Sequence, residues 1–143
     1  MNVASILHQK GRAVTTVSPS ATLLDVAAKL AAKRIGAIVV VEAGGKLGGI
    51  ISERDIIGAL AKNGQDSLVR PVSEVMTRDV VTCQETDTLD ELMAMMTARR
   101  FRHLPVVTDE ALVGIISIGD VVKHHVAEVE MEATAMRDYI THS

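Results

Sequence analysis

The chain has 143 residues, a formal charge of −3, 48% hydrophobic residues, one Phe, one Tyr and no Trp. The negative balance argues against a general nucleic-acid binder, which needs clustered Lys and Arg to meet phosphates, and the single Cys excludes an internal disulfide and suits a reducing cytoplasm. No apolar run approaches the roughly 20 residues of a membrane span, and the first residues lack the pattern of a secretory signal, so a soluble cytoplasmic protein with an aliphatic, Met-rich core is expected.

Taken in chain order, Val3, Ile6 and Leu7 have the i, i+3, i+4 spacing of a short helix that Gly11 would end. A brief strand is expected over 14–17, broken by Pro19. Thr22 and Asp25 form a capping box ahead of Leu23, Val26, Ala27, Leu30 and Ala31, which share one helical face; Gly36 is expected to close that helix. An unbroken β-branched run over 38–41 reads as a buried strand, and Ala43-Gly44-Gly45-Lys46 turns the chain into a second strand over 47–51. A further helix starts at Ser52 and is stopped by Asn63-Gly64.

The second half repeats the first. At an offset of 66 residues Val14 pairs with Val80, Thr22 with Thr88, Arg34 with Arg100 and Val40-Val41 with Val106-Val107. The hairpin turn is one residue shorter in the second copy, so Gly49-Ile50-Ile51-Ser52-Glu53-Arg54-Asp55 returns 65 residues later as Gly114-Ile115-Ile116-Ser117-Ile118-Gly119-Asp120. Each copy is a strand ending in Ser-x-x-Asp where a helix begins, a place where backbone N–H groups and the macrodipole favour an anion. The reading is an α/β (α+β) chain of two β-α-β-β-α units over 10–62 and 74–128, joined by a linker over 63–73. A unit so small exposes too much surface alone, so the two pack as a pseudo-twofold pair. Helices flank the pair, the last extending over 129–143; there Val122, Val126, Val129, Ala133, Met136 and Ile140 form an a/d stripe expected to pack on another subunit or on the N-terminal helix.

Val75-Met76-Thr77, the Thr88-Leu89 helix start, Arg102-His103-Leu104-Pro105-Val106-Val107 and Gly114-Ile115-Ile116-Ser117-x-x-Asp120 resemble the cystathionine-β-synthase (CBS) domain family over about residues 10–128. The first copy departs from it, with Ala37-Ile38-Val39 where the family often shows His-Leu-Pro. The resemblance implies a pair that dimerises and binds adenine nucleotides (AMP, ATP or NAD(H)) in the clefts between repeats. Asp55 and Asp120, beside Ser52 and Ser117, are then expected to hold a ribose diol, since one carboxylate offers two acceptor oxygens to two adjacent hydroxyls. Thr16 and Thr82 are expected to line the adenine pocket, Arg102 and His103 to meet phosphate, and Gly36, Ala37, Ile38, Arg54, Leu104, Pro105 and Gly119 to complete the site. Arg99 and Arg100 read instead as a solvated helix end.

Other signals point to structure. Gly44-Gly45-Lys46 lacks the Ser or Thr of a phosphate loop, Cys83 replaces Val17 of the first copy, and the adjacent His124-His125 cannot face one metal from a helix. Met93, Met95 and Met96 belong to a helix whose core face takes Leu89, Leu92 and Met96. No nucleophile, base and orienting group fall together, so catalysis, a catalytic cofactor and a metal are not expected. The function expected is a regulatory sensor that signals to an unidentified partner through dimer shape; the alternative is a structural interaction module with no nucleotide.

Overall fold

The computed structural model describes residues 1–142. The first half holds β1 (Thr16–Val17), α2 (Leu23–Lys33), β2 (Ala37–Val41), β3 (Leu47–Ser52) and α3 (Glu53–Asn63), preceded by α1 (Val3–Lys10). Two short 3-10 turns, Gly64–Val69 and Val72–Glu74, lead to α4 (Leu89–Arg99), β4 (His103–Thr108), β5 (Ala111–Ser117) and the 25-residue α5 (Ile118–His142). In the first sheet β1 runs parallel to β2 and β2 antiparallel to β3; in the second β4 and β5 are antiparallel.

The second sheet lacks the outer strand expected where the 66-residue repeat carries the 14–17 strand. Only an isolated parallel bridge, Cys83 to Val106, stands where Val17 pairs with Val40. The missing rung has a local cause. Val39 pairs with Thr16 and donates its N–H to Thr15 O (3.4 Å) in the first sheet. Its repeat partner is Pro105, which has no N–H to give.

Helix starts follow the capping residues. Thr22, Ser52 and Thr88 each accept the N3 amide, and at Thr22 and Ser52 the acid three residues on returns the bond to the cap N–H. Gly11 (φ 100°) and Gly64 (φ 68°) end α1 and α3 in conformations that L side chains rarely adopt. Gly36 does not end α2. The helix stops at Arg34, left-handed at φ 54°, and its repeat counterpart Arg100 ends α4 in the same way at φ 59°. Neither position is glycine, so each accepts a cost of about 1 kcal/mol and keeps a cationic side chain there.

The cores are assembled by exchange. Val3, Ile6 and Leu7 are repeated 69 residues later as Val72, Val75 and Met76. The N-terminal set is fully buried among Cys83, Leu89, Leu92, Leu104 and Ile116 of the second half. Val72 and Met76 are buried among Leu23, Val26, Ile38 and Ile51 of the first. The backbone repeats this exchange: Leu89 N donates to Met1 O (3.1 Å) and Leu23 N to Arg70 O (3.1 Å). Close approach explains two glycines. A Cβ on Gly114 would lie 2.6 Å from Leu7 Cδ2, and one on Gly49 would lie 2.7 Å from Met76 Sδ. Burying each large aliphatic side chain contributes about 1.5–3 kcal/mol, so each half depends on a segment attached to the other. The stretch expected to be a linker therefore carries one core residue, Val72, and Met76 just beyond it packs in the first half.

Along α5, Val121 and His124 are buried, but Val122, Val126, Val129 and Met136 remain exposed. Met1 meets the helix through its terminal amine and Glu128 (3.1 Å). Within the chain the stripe is thus not covered by α1, as one alternative had it. No helix among the described residues is long and apolar enough to cross a membrane.

Candidate functional site: two unequal clefts at the seam

Two clefts open where the halves meet. The Asp55 cleft has a volume of about 290 Å³ and lies between the β3–α3 junction and the segment entering β4. The Asp120 cleft, about 410 Å³, lies between the β5–α5 junction and the segment entering β2. These sizes fall near the lower end of the roughly 300–1,000 Å³ typical of small-molecule sites.

Both junctions are built alike. Ser52 N donates to Asp55 Oδ2 (2.9 Å) and Asp55 N to Ser52 Oγ (3.2 Å). Ser117 N donates to Asp120 Oδ2 (2.9 Å) and Asp120 N to Ser117 Oγ (3.1 Å). The first helical amide is anchored across the sheet, Glu53 N to Gly36 O (2.9 Å) and Ile118 N to Arg102 O (2.7 Å). Capping and cleft-lining are therefore compatible: each cap engages Oδ2, and the same carboxylates form part of the cleft walls.

Surroundings differ. Lys10, the last residue of α1, donates from Nζ to Asp120 Oδ2 (2.5 Å) and to Ile115 O (2.8 Å). Burial raises the Asp120 carboxyl, but the bond and charge of Lys10 and the Ser117 contacts outweigh it, leaving the pKa below the ordinary carboxylate value. Asp55 has no such cation on it. Arg54, Arg100 and Arg102 line its cleft together with Glu53 and Asp79. His103 lies in the partition, lining both clefts, and Gly36 faces its ring: a Cβ there would lie 3.4 Å from His103 Cε1. Burial and the nearby Lys10 lower the His103 pKa against the opposing pull of Asp120 and Glu53, so at neutral pH the partition carries a neutral imidazole.

Of the residues anticipated, Gly36, Ala37, Ser52, Arg54, Asp55, Arg102 and His103 meet at the Asp55 cleft, and Gly36, Ala37, His103, Ser117 and Asp120 at the other. Thr16, Ile38, Thr82, Leu104, Pro105 and Gly119 line neither. Strand alternation explains Ile38 and Leu104, which are fully buried in the two cores. The segment before β1 reaches the Asp120 cleft through Val14 and Thr15 rather than Thr16, while Val80 and Val81, not Thr82, line the Asp55 cleft. Gly119 sits exposed on the first turn of α5. Lys10, Arg34 and Arg100 were missed. The pairing of Arg34 with Arg100 across the repeat was visible, yet a cation at a helix end is unremarkable without the left-handed backbone that aims it into the seam. Lys10 gave no signal at all, because its partner lies 110 residues away.

Two half-modules related by a pseudo-twofold, with paired clefts at their seam and a Ser-x-x-Asp helix start in each, define a tandem repeat pair. Comparison with known proteins gives the family: the CBS domain matches residues 7–62 and 72–127, and the chain belongs to the CBS domain family. It is 36% identical over 124 residues to the mitochondrial CBS domain-containing protein CBSX3 of Arabidopsis thaliana, a match covering 83% of this chain and 60% of that protein. It is 37% identical over 107 residues to CBS domain-containing protein YhcV of Bacillus subtilis, 75% of each. Among solved structures, a CBS-domain containing protein from Agrobacterium tumefaciens superposes with a TM-score of 0.83 at 49% identity, covering 85% of this chain and 91% of that one. A CBS domain protein from Pyrobaculum aerophilum complexed with AMP superposes at 0.75 with 28% identity, covering 84% and 89%. A CBS domain pair in complex with 5′-methylthioadenosine and S-adenosyl-L-methionine superposes at 0.80 with 29% identity, covering 90% and 98%.

Proposed function

We propose that this chain is a regulatory module, not an enzyme, that binds an adenine nucleotide (AMP, ATP or NAD(H)) at the seam and reports it through its shape. The observation that carries this reading is the pair of strand–helix junctions. Each presents a carboxylate to a cleft, and related pairs contain AMP, 5′-methylthioadenosine or S-adenosyl-L-methionine. A ribose diol would donate to Asp55 or Asp120, whose caps engage one oxygen. Aliphatic walls, Ile50, Val80 and Val81 in one cleft and Val14, Ile35 and Ile115 in the other, would sandwich the base in place of aromatic stacking. Arg54, Arg100 and Arg102, and across the partition Arg34, would meet phosphate.

The exposed stripe on α5 would be covered by a second copy, giving a cytoplasmic homodimer whose geometry a regulated partner reads, with no role for nucleic acid or membrane. Among the described residues no His, Cys, Asp or Glu cluster is placed to hold a metal, and the reading assigns no catalytic cofactor. Ligand moves such an equilibrium only through different affinities for the two shapes. Calorimetric titration with AMP, ATP and NADH tests the proposal. Binding by at least one, weakened roughly tenfold to a hundredfold by Asp55→Ala or Asp120→Ala, is expected from the loss of a charged hydrogen bond worth about 1.5–3 kcal/mol. Silence with all three would favour the rival reading, a structural interaction module with no nucleotide.

A further inference from the structure

The clefts differ most at the residue that each exchanged lead-in brings to them. Three residues after Leu7, which packs on Gly114, comes Lys10; three residues after Met76, which packs on Gly49, comes Asp79. Lys10 lines the Asp120 cleft and Asp79 the Asp55 cleft, so corresponding lead-ins deliver opposite charges. The Asp55 cleft balances Arg54, Arg100 and Arg102 against Glu53, Asp55 and Asp79. The Asp120 cleft sets Lys10 and Arg34 against Asp120 alone. Lys10 bonds Asp120 Oδ2 at 2.5 Å, the oxygen that the Ser117 amide also engages, so a ribose diol that takes both carboxylate oxygens must compete with the ammonium.

We infer that Lys10 is the specificity-determining residue of the Asp120 cleft, making it select phosphate-bearing adenosine ligands over uncharged ones; this rests on the nucleotide reading above. A ribose that takes over Asp120 displaces the ammonium from its partner. An uncharged nucleoside offers nothing in return, whereas a nucleotide offers an anion within reach of a flexible four-carbon stem. At the Asp55 cleft the corresponding lead-in brings Asp79 instead, so a preference for phosphate there rests on Arg54, Arg100 and Arg102 and not on the lead-in. A purely structural Lys10, tying α1 to β5, would change affinity for both ligand types alike.

The test is calorimetry on the Asp55→Ala chain, in which the Asp120 cleft is the remaining seat, with adenosine and AMP as probes. Adding Lys10→Met is expected to tighten adenosine and weaken AMP, lowering the AMP-to-adenosine affinity ratio about tenfold, the size of one charge-assisted contact. Lys10→Arg, which keeps the charge, is expected to hold the original ratio, and circular dichroism verifies that each variant is folded. An unchanged ratio in Lys10→Met, with both ligands shifted together, overturns the assignment of Lys10 and leaves the nucleotide reading standing. No heat from either ligand even in the unsubstituted chain overturns both.

Discussion

The contact between Leu7 and Gly114 offers a sharp test of how the two halves are interlocked. Leu7 is fully buried, yet it belongs to a helix that precedes the first half. Removing its side chain deletes buried methyl groups and leaves a cavity, at a cost of about 2–5 kcal/mol. Gly114→Ala alone places a methyl 2.6 Å from Leu7 Cδ2 and 2.9 Å from Cδ1. That overpacking costs about 1–3 kcal/mol, partly offset by the roughly 0.4–1 kcal/mol that Gly→Ala gains from the unfolded chain. The double variant removes the clash and puts a methyl into the cavity, so the two changes should not add. Urea unfolding of the four chains measures this coupling, with the double variant expected about 1 kcal/mol or more less destabilised than the sum. Additivity within about 0.5 kcal/mol would refute the packing of α1 on β5 and the exchange built on it.

Other consequences are open to measurement. Cys83 is buried and its thiol is pushed up to about 12 by burial and then by Asp87, so thiol reagents at neutral pH should label it only as fast as the chain opens; prompt labelling of the native protein would contradict this. Asp120 titrates below its ordinary value, so its contribution to stability is present above about pH 4 and is lost as pH falls through the depressed value. The stability difference between the natural chain and Lys10→Met, read by urea unfolding, should accordingly shrink in acid; a difference independent of pH would argue against the pair. Truncation after Ala127 should convert the proposed dimer to monomer in light scattering, and an unchanged dimer would remove the end of α5 from the interface.

Much of this architecture was legible because local chemistry and tertiary structure agree. The 66-residue repeat, the capping residues Thr22, Ser52 and Thr88 and the Gly11 and Gly64 stops all lie within a few residues of what they control. The seam was less legible, since it is made of long-range pairings. Val3, Ile6 and Leu7 promised a buried helical face but not which half would bury it. In the sequence Pro105 reads only as a site residue, and its alignment with Val39 in the sheet is what shows that an outer strand depends on the N–H it lacks. Arg34 and Arg100 needed their left-handed backbones to be seen as cleft residues, and Thr15 lines the cleft from the residue just before a strand that is only two residues long.

The most direct test of the seam as a ligand seat is an NMR titration with AMP that follows the backbone amides of Ser52, Asp55, Ser117 and Asp120. The account predicts that the largest saturable shifts fall at one or both of these junctions and vanish when both aspartates are replaced by alanine. Saturable shifts confined to the surface of α5, or persisting unchanged in the doubly substituted chain, would contradict it.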